Sequence, residues 1–198
     1  MPFFSEKFAA TVAPKESAGN RYLNPSSIED GGSARFAILS EEPLEGWEVW
    51  FTKAAGGMTK RITPEEPDDQ LLAELEEEVC GSVTERDGRK AIKFCAAFFV
   101  YDYEDETVKI FSANQKSLLS DINRNVSDPD YADLSQWDMK VTRTGKGTDT
   151  KYAAMMVPTR RSNTKVAKAV IEAWDEVCEA GADLAALYDG GDPFTPQK

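Results

Sequence analysis

The sequence predicts a mainly β fold with added helices. Short runs rich in β-branched and aromatic residues recur along the chain with turn signals between them. Only three stretches carry a helical stripe of apolar residues, and one glycine-rich hairpin gathers basic charge in an otherwise acidic chain.

Residues 1–30 are polar and turn-rich and read as a loosely held arm. Arg35–Leu39 and Trp47–Thr52 read as strands joined by the turn-like Glu41–Gly46, and Lys60–Ile62 as a shorter strand after Gly56-Gly57. Thr63-Pro64-Glu65-Glu66 has the form of a helix start: a threonine cap, proline in the first turn, and glutamate three residues after the cap. Leu71, Leu72, Leu75 and Val79 then share one stripe, and Gly81 ends it. This acidic amphipathic helix sits in an insertion over residues 63–90.

Ala91–Tyr103 is a long strand, which the turn Glu104-Asp105-Glu106 returns as Thr107–Phe111. Alternation puts Ile92, Phe94, Phe98 and Val100 on a core face. Lys93, Phe99, Tyr101 and Tyr103 fall on the other face, continuing across the hairpin onto Lys109 and Phe111. Asn114–Asn125 is a helix with Leu118, Leu119 and Ile122 apolar, and Trp137–Val157 is a strand, a turn holding Gly145-Lys146-Gly147, and a second strand.

The last helix, Thr164–Ala180, turns Val166, Val170, Ile171, Trp174 and Val177 inward. Its charges oppose the macrodipole, with Lys165 and Lys168 early and Glu176 and Glu179 late, at a cost of ~0.3–1 kcal/mol each. Two explanations stand: the lysines, with Arg160 and Arg161, form a phosphate site, or tertiary partners neutralise them. This order of elements suits a five-stranded OB-type barrel in residues 31–161, carrying the helical insertion, with a C-terminal helix and acidic tail in 162–198. A generic α+β sheet fits the same order.

Composition narrows the chemistry. The 198 residues contain no histidine, which removes Ser-His-Asp and Cys-His pairs, zinc helices and imidazole bases. Three scattered cysteines (Cys80, Cys95, Cys178) without C-x-x-C spacing read as thiols of a reducing compartment used as small hydrophobes, and no metal site or cofactor is expected. No apolar run approaches the ~20 residues of a bilayer span and the N-terminus lacks a secretory pattern, so a soluble, cytoplasmic, non-enzymatic protein without membrane contact is expected.

The net charge is −12, yet Lys140–Lys168 holds eight basic residues against one acid, Asp149. That +7 window leaves −19 for the rest, much of it in Glu65–Glu78 and Glu172–Asp192. Positive charge kept on one hairpin of an acidic protein points to an anionic partner. A groove for single-stranded DNA needs cations for phosphates and aromatic plates for bases. Phe99, Tyr101, Tyr103, Phe111 and Trp50 are the expected plates. Lys93, Lys109, Lys140, Arg143, Lys146 and Lys151 are the expected phosphate contacts, with Arg35 and Lys53 at the rim and Arg160 and Arg161 beyond. The glycines flanking Lys146 let backbone N–H groups approach an anion.

Lys93–Tyr103, Val108–Phe111, Gln115-Lys116-Ser117 opening a helix, and the run Trp137–Tyr152 resemble, in that order, the helix-destabilising single-stranded-DNA-binding proteins of tailed bacteriophages. The resemblance covers residues 31–160. It implies an OB-fold that coats single strands in DNA replication, recombination and repair, with Arg143, Lys146, Asp149 and Tyr152 on the shared hairpin and Asp149 bracing the turn. Where some relatives insert a His/Cys zinc subdomain, this chain has the acidic helix. Where some carry a basic arm for cooperativity, Lys7, Lys15 and Arg21 are offset by Glu6 and Glu16.

The tail Asp189–Phe194 is similar to acidic ends that recruit replication or recombination proteins, although Thr195–Lys198 extends past the Phe; a disordered tail without a partner is the other reading. Gly145-Lys146-Gly147 is not a P-loop, and Asp128–Asp133 lacks the glycine and glutamate of a calcium loop. The alternative to DNA binding is a protein-interaction accessory factor of the replication machinery on the same barrel. In that case the aromatic–basic face is packed away rather than open to solvent.

Overall fold

A computed structural model describes residues 21–195. The strands are β1 (Tyr22–Leu23), β2 (Ser33–Ile38), β3 (Leu44–Lys53), β4 (Met58–Thr63), β5 (Gly81–Val83), β6 (Glu85–Arg86), β7 (Arg89–Lys90), β8 (Ile92–Asp102), β9 (Thr107–Ala113), β10 (Trp137–Thr144) and β11 (Lys151–Pro158). The helices are α1 (Asp69–Val79), α2 (Lys116–Val126) and α3 (Thr164–Glu179), so the fold is mainly β with added helices.

Nine strands form one sheet, ordered β1-β9-β8-β2-β10-β11, with β3 also on β8 and β4 and β5 on β3. β8 organises it. Ile92–Ala97 pairs with β3 and Val100–Asp102 with β2, so two strands share one edge of β8 end to end. Between them the chain turns a corner, where Leu39 and Ser40 donate to the Phe99 carbonyl and the Ser40 hydroxyl accepts the Phe99 N–H. Among the described residues no pairing joins β11 to the opposite end, and the ladder is open rather than a ring. The β11 edge is met by α2: Asn125 donates to the Ala154 carbonyl and Asp121 accepts the Ala154 N–H. Covering an edge this way removes a template for unwanted pairing.

The sheet is buried on both faces. Phe36, Phe98, Phe111, Met139 and Val141 pack under Leu118 and Ile122 of α2. On the other face Phe99, Tyr101 and Ile110 pack under Val170 and Trp174 of α3. A smaller core sets Leu72 and Val79 of α1 on Val49 and Phe51.

Local chemistry shifts several expected boundaries. Thr63 is the buried end of β4 and caps no helix; its hydroxyl donates to the Glu65 carbonyl. Pro64 and Pro67 disfavour helix in the residues before them, and α1 starts at Asp69 with Asp68 accepting the Leu71 N–H. It ends on Cys80 in the left-handed region (φ 51°), ahead of Gly81. On α3, Ile171 is 57% exposed, because the position after Val170 lies about 100° around the helix from it. Cys95 is buried, which pushes its thiol up to about 11, but Cys80 and Cys178 are exposed and are not core hydrophobes.

Of the expected arm, residues 21–30 are built into the fold: Tyr22 and Leu23 pair in parallel with Ile110 and Phe111, and Leu23 and Ile28 are buried. Lys7 and Lys15 lie outside the described residues, as do residues 196–198. The acidic tail folds back, through a 3-10 turn at Leu184–Leu187, onto the α3 face of the sheet. Phe194 meets Phe99 edge to face at 5.5 Å and Asp192 pairs with Arg21, so Asp189–Phe194 is no free recruiting peptide in this structure. Among the described residues no helix is long and apolar enough to cross a membrane, and no cluster of three His, Cys, Asp or Glu could hold a metal ion.

Candidate nucleic-acid interface

Three of the expected plates are core. Phe99 is 4% exposed against Trp174 and Phe194, Tyr101 is equally buried, and Phe111 is inaccessible between Phe36 and Phe98. Register explains the error at Phe111. The hairpin closes at Asp102–Thr107 with Glu106 at φ 52°, so Phe98 opposes Phe111 and Val100 opposes Lys109. A turn one residue shorter would set Phe99 opposite Phe111, and a one-residue slip exchanges the two faces. Lys109 is accordingly buried, paired with Asp102 at 2.8 Å and with Asp105, and is not available to phosphate.

Other expected cations are also committed. Asp138, fully buried in β10, accepts from Arg35 Nε (3.0 Å), the Tyr103 hydroxyl (2.8 Å), the Thr159 hydroxyl (2.9 Å) and the Arg160 N–H (2.9 Å). Burial, and then this hydrogen bond, push the Tyr103 phenol well above the ordinary tyrosine range. Arg161 donates to the Leu134 and Trp137 carbonyls. Arg143 Nη1 donates to the carbonyls of Ser26 (2.7 Å) and Ile28 (2.8 Å), fastening the hairpin to the N-terminal segment. Tyr152, half-buried, packs on the core beneath α2. Arg35, Arg143 and Arg161 therefore brace the fold, against the expectation that they contact DNA.

The cations that remain open are Lys53, Lys93, Lys146, Lys151 and Arg160, with Lys140 half-buried. Arg160 covers the Tyr103 ring at 5.2 Å. Lys140 stands opposite Arg35 on one side and Met155 on the other, and Met155 is 46% exposed. Of the α3 lysines, Lys168 pairs with Glu172 within the helix and Lys165 is exposed.

Lys146 sits at the hairpin tip between Gly145 (φ +84°) and Gly147 (φ +57°), and Asp149 is exposed in the turn. Gly145 donates to Asp30, and a Cβ there would lie 2.4 Å from the Asp149 carbonyl oxygen. Gly145→Ala is expected to cost ~1–3 kcal/mol and to lower the melting temperature by several degrees. Unchanged melting would show that neither the positive φ nor the close approach constrains the turn.

The open aromatics lie elsewhere. Trp47 of β3 and Phe94 of β8 oppose each other in register and meet edge to face, 5.8 Å apart at 81°, with Phe94 37% exposed. They line a cavity of about 720 Å³ with Lys93, Gln115, Lys116 and Leu119. A second cavity of about 420 Å³ shares Asn114 and Gln115 with it and holds Tyr22, Glu48, Trp50 and Lys60. A third, of about 350 Å³, shares Phe94 and Leu119 and has an apolar floor of Ala96, Phe98 and Ile122. The third adjoins the first on the α2 face of the sheet, while the second meets the first only at Asn114 and Gln115, because alternation along β3 turns Glu48 and Trp50 to the face opposite Trp47.

Trp50 is the one expected plate that lines any of these three cavities. Lys60 covers its ring at 5.9 Å and pairs with buried Glu48 at 3.0 Å. Burial alone would raise the Glu48 carboxyl, but the charge of Lys60 and hydrogen bonds from Lys60, Trp50 and Asn114 hold it below the usual range. Sequence reasoning missed Trp47, Phe94, Lys60 and Lys116. Alternation had placed Phe94 in the core, and Lys116 was visible only as part of the Gln115-Lys116-Ser117 helix start.

Compared with protein-family models, with curated proteins and with solved structures, the chain matches none of them.

Proposed function

We propose that this protein binds single-stranded DNA without catalysis, stacking bases on the Trp47–Phe94 pair of β3 and β8 and holding phosphates on the lysines around it. The observation that supports this most is the Trp47–Phe94 pair, open to a cavity whose walls include Lys93 and Lys116. Stacking contributes roughly 1–3 kcal/mol per base and accepts any sequence. The resemblance to phage helix-destabilising proteins supports the same reading, on an OB-type sheet left open at one side, with a role in protecting single strands during replication, recombination and repair.

Anisotropy of labelled oligo-dT and of its duplex, at low and moderate salt, tests this. Preferential binding of the single strand, weakened by salt, is the expected result. Lys146→Ala/Lys151→Ala should lower the slope of log K against log salt by about 1.4, since each single-strand phosphate contact contributes about 0.7. An unchanged slope would remove the hairpin from the interface. One observation favours a second reading, a protein-interaction accessory factor: Phe99, Tyr101 and Phe111 are packed away. A folded protein that binds neither oligo-dT nor duplex would make that reading the leading one.

A further inference from the structure

We propose that the cavity holding Glu48 reads one unpaired guanine of the bound strand; this rests on the single-strand reading above and adds a base preference to it. The Glu48 side chain is 4% exposed and forms part of the cavity wall. Its Oε1 is saturated, accepting from Trp50 Nε1 and from Asn114 Nδ2. Among the described residues its Oε2 holds only Lys60 Nζ, on a side chain 35% exposed at the rim. The Lys60 ammonium thus occupies two positions at once, over the Trp50 ring and against a buried carboxylate oxygen. A planar base entering over Trp50 takes both, stacking on the indole and turning its N–H groups to Oε2.

Base chemistry selects among the four. Guanine alone carries two adjacent donors, N1–H and the N2 amino group, on its Watson–Crick edge. Adenine and cytosine present one amino donor beside an acceptor nitrogen, which would face the carboxylate lone pairs, and thymine presents one N–H between two carbonyls. Lys60, once displaced, meets guanine O6, the acceptor next to N1–H. An arginine side chain from a protein partner offers the same paired donors, but it would bring a second cation against Lys60, whereas guanine is neutral. The cavity meets the Trp47–Phe94 cavity at Asn114 and Gln115, on the opposite face of β3, so a strand stacked on Trp47 and Phe94 reaches Trp50 by passing over these two residues. The remaining bases stay on the sequence-tolerant stacking surface.

The test compares labelled oligo-dT with the same oligomer carrying one central dG, deoxyinosine or dA, on the full chain. The dG oligomer should bind about tenfold tighter than all-dT. Deoxyinosine, which keeps N1–H and O6 but lacks the N2 amino group, should lose most of that gain, and dA should match dT. Glu48→Gln should erase the preference and Lys60→Ala should weaken it by removing the contact to O6. The base substitutions leave the protein untouched, so the result does not depend on either variant folding. If all-dT binds and the three substituted oligomers agree with it within about twofold, the guanine pocket is wrong and single-strand binding stands. If no oligomer binds, the single-strand reading itself falls. Displacement of the dG oligomer by arginine amide but not by dGMP would overturn the proposal in favour of a guanidinium-bearing partner.

Discussion

Trp47→Ala is expected to weaken oligo-dT binding by ~1–3 kcal/mol, and Trp47→Ala/Phe94→Ala by more, on the order of 100-fold in Kd. The two rings oppose each other across β3 and β8 and share the cavity that Lys93 and Lys116 also line. A base entering there gains an aromatic face and nearby positive charge together. Phe99→Ala is the informative control. Phe99 lies under Trp174 and Phe194, so its truncation should cost ~3–5 kcal/mol of stability and leave the Kd of the folded protein unchanged. Anisotropy and urea unfolding on the same preparations separate the outcomes. If the Trp47 and Phe94 variants bind as wild type while Phe99→Ala loses affinity, the interface lies on the α3 face.

The second large effect concerns stability. Asp138→Ala is expected to destabilise the fold by ~3–5 kcal/mol, the range found when one partner of a buried charge network is removed. The side chain is inaccessible and satisfies Arg35, Tyr103, Thr159 and the Arg160 backbone together. It therefore ties β2, the end of β8 and the chain after β11 to β10. Without it the Arg35 guanidinium keeps, among the described residues, the Pro158 carbonyl, and the Tyr103 hydroxyl loses its carboxylate acceptor. The urea midpoint should fall at constant slope. A loss below about 1 kcal/mol would show that Arg35 escapes to solvent at little cost.

Much of this architecture was legible in the sequence. The long β8, the hairpins around it and the apolar stripes of α1, α2 and α3 follow from patterns of two and of 3.6 residues, and the seven expected strands agree within a few residues, while the short β1, β5, β6 and β7 were not anticipated. What misled was β8 itself. Cys95–Tyr101 contains no polar residue, the mark of a strand buried on both faces, yet one face was assigned to solvent because Lys93 and Lys109 flank it in phase. Lys109 looked free because a lysine gives no local sign of two aspartates that the β8–β9 turn brings to it. The bracing roles of Arg35, Arg143 and Arg161 were equally hidden, since their partners lie up to 123 positions away. Trp47 and Phe94 could have been paired only with the β3–β8 register known, and register between strands so far apart is set by tertiary packing.

The covering of Phe99 by α3 and the returning C-terminal segment has a consequence for biosynthesis. A ribosome delivers β8 and β9 long before residues 164–194, so the face of Phe99, Tyr101 and Ile110 emerges with nothing to sit on it. During that interval the nascent chain carries an apolar patch of the kind that recruits chaperones or seeds aggregates. A premature stop before Thr164 leaves the patch uncovered for good. Residues 164–194 thus act as a cover fitted after the sheet, and loss of solubility on truncation there would reflect an unfinished sheet.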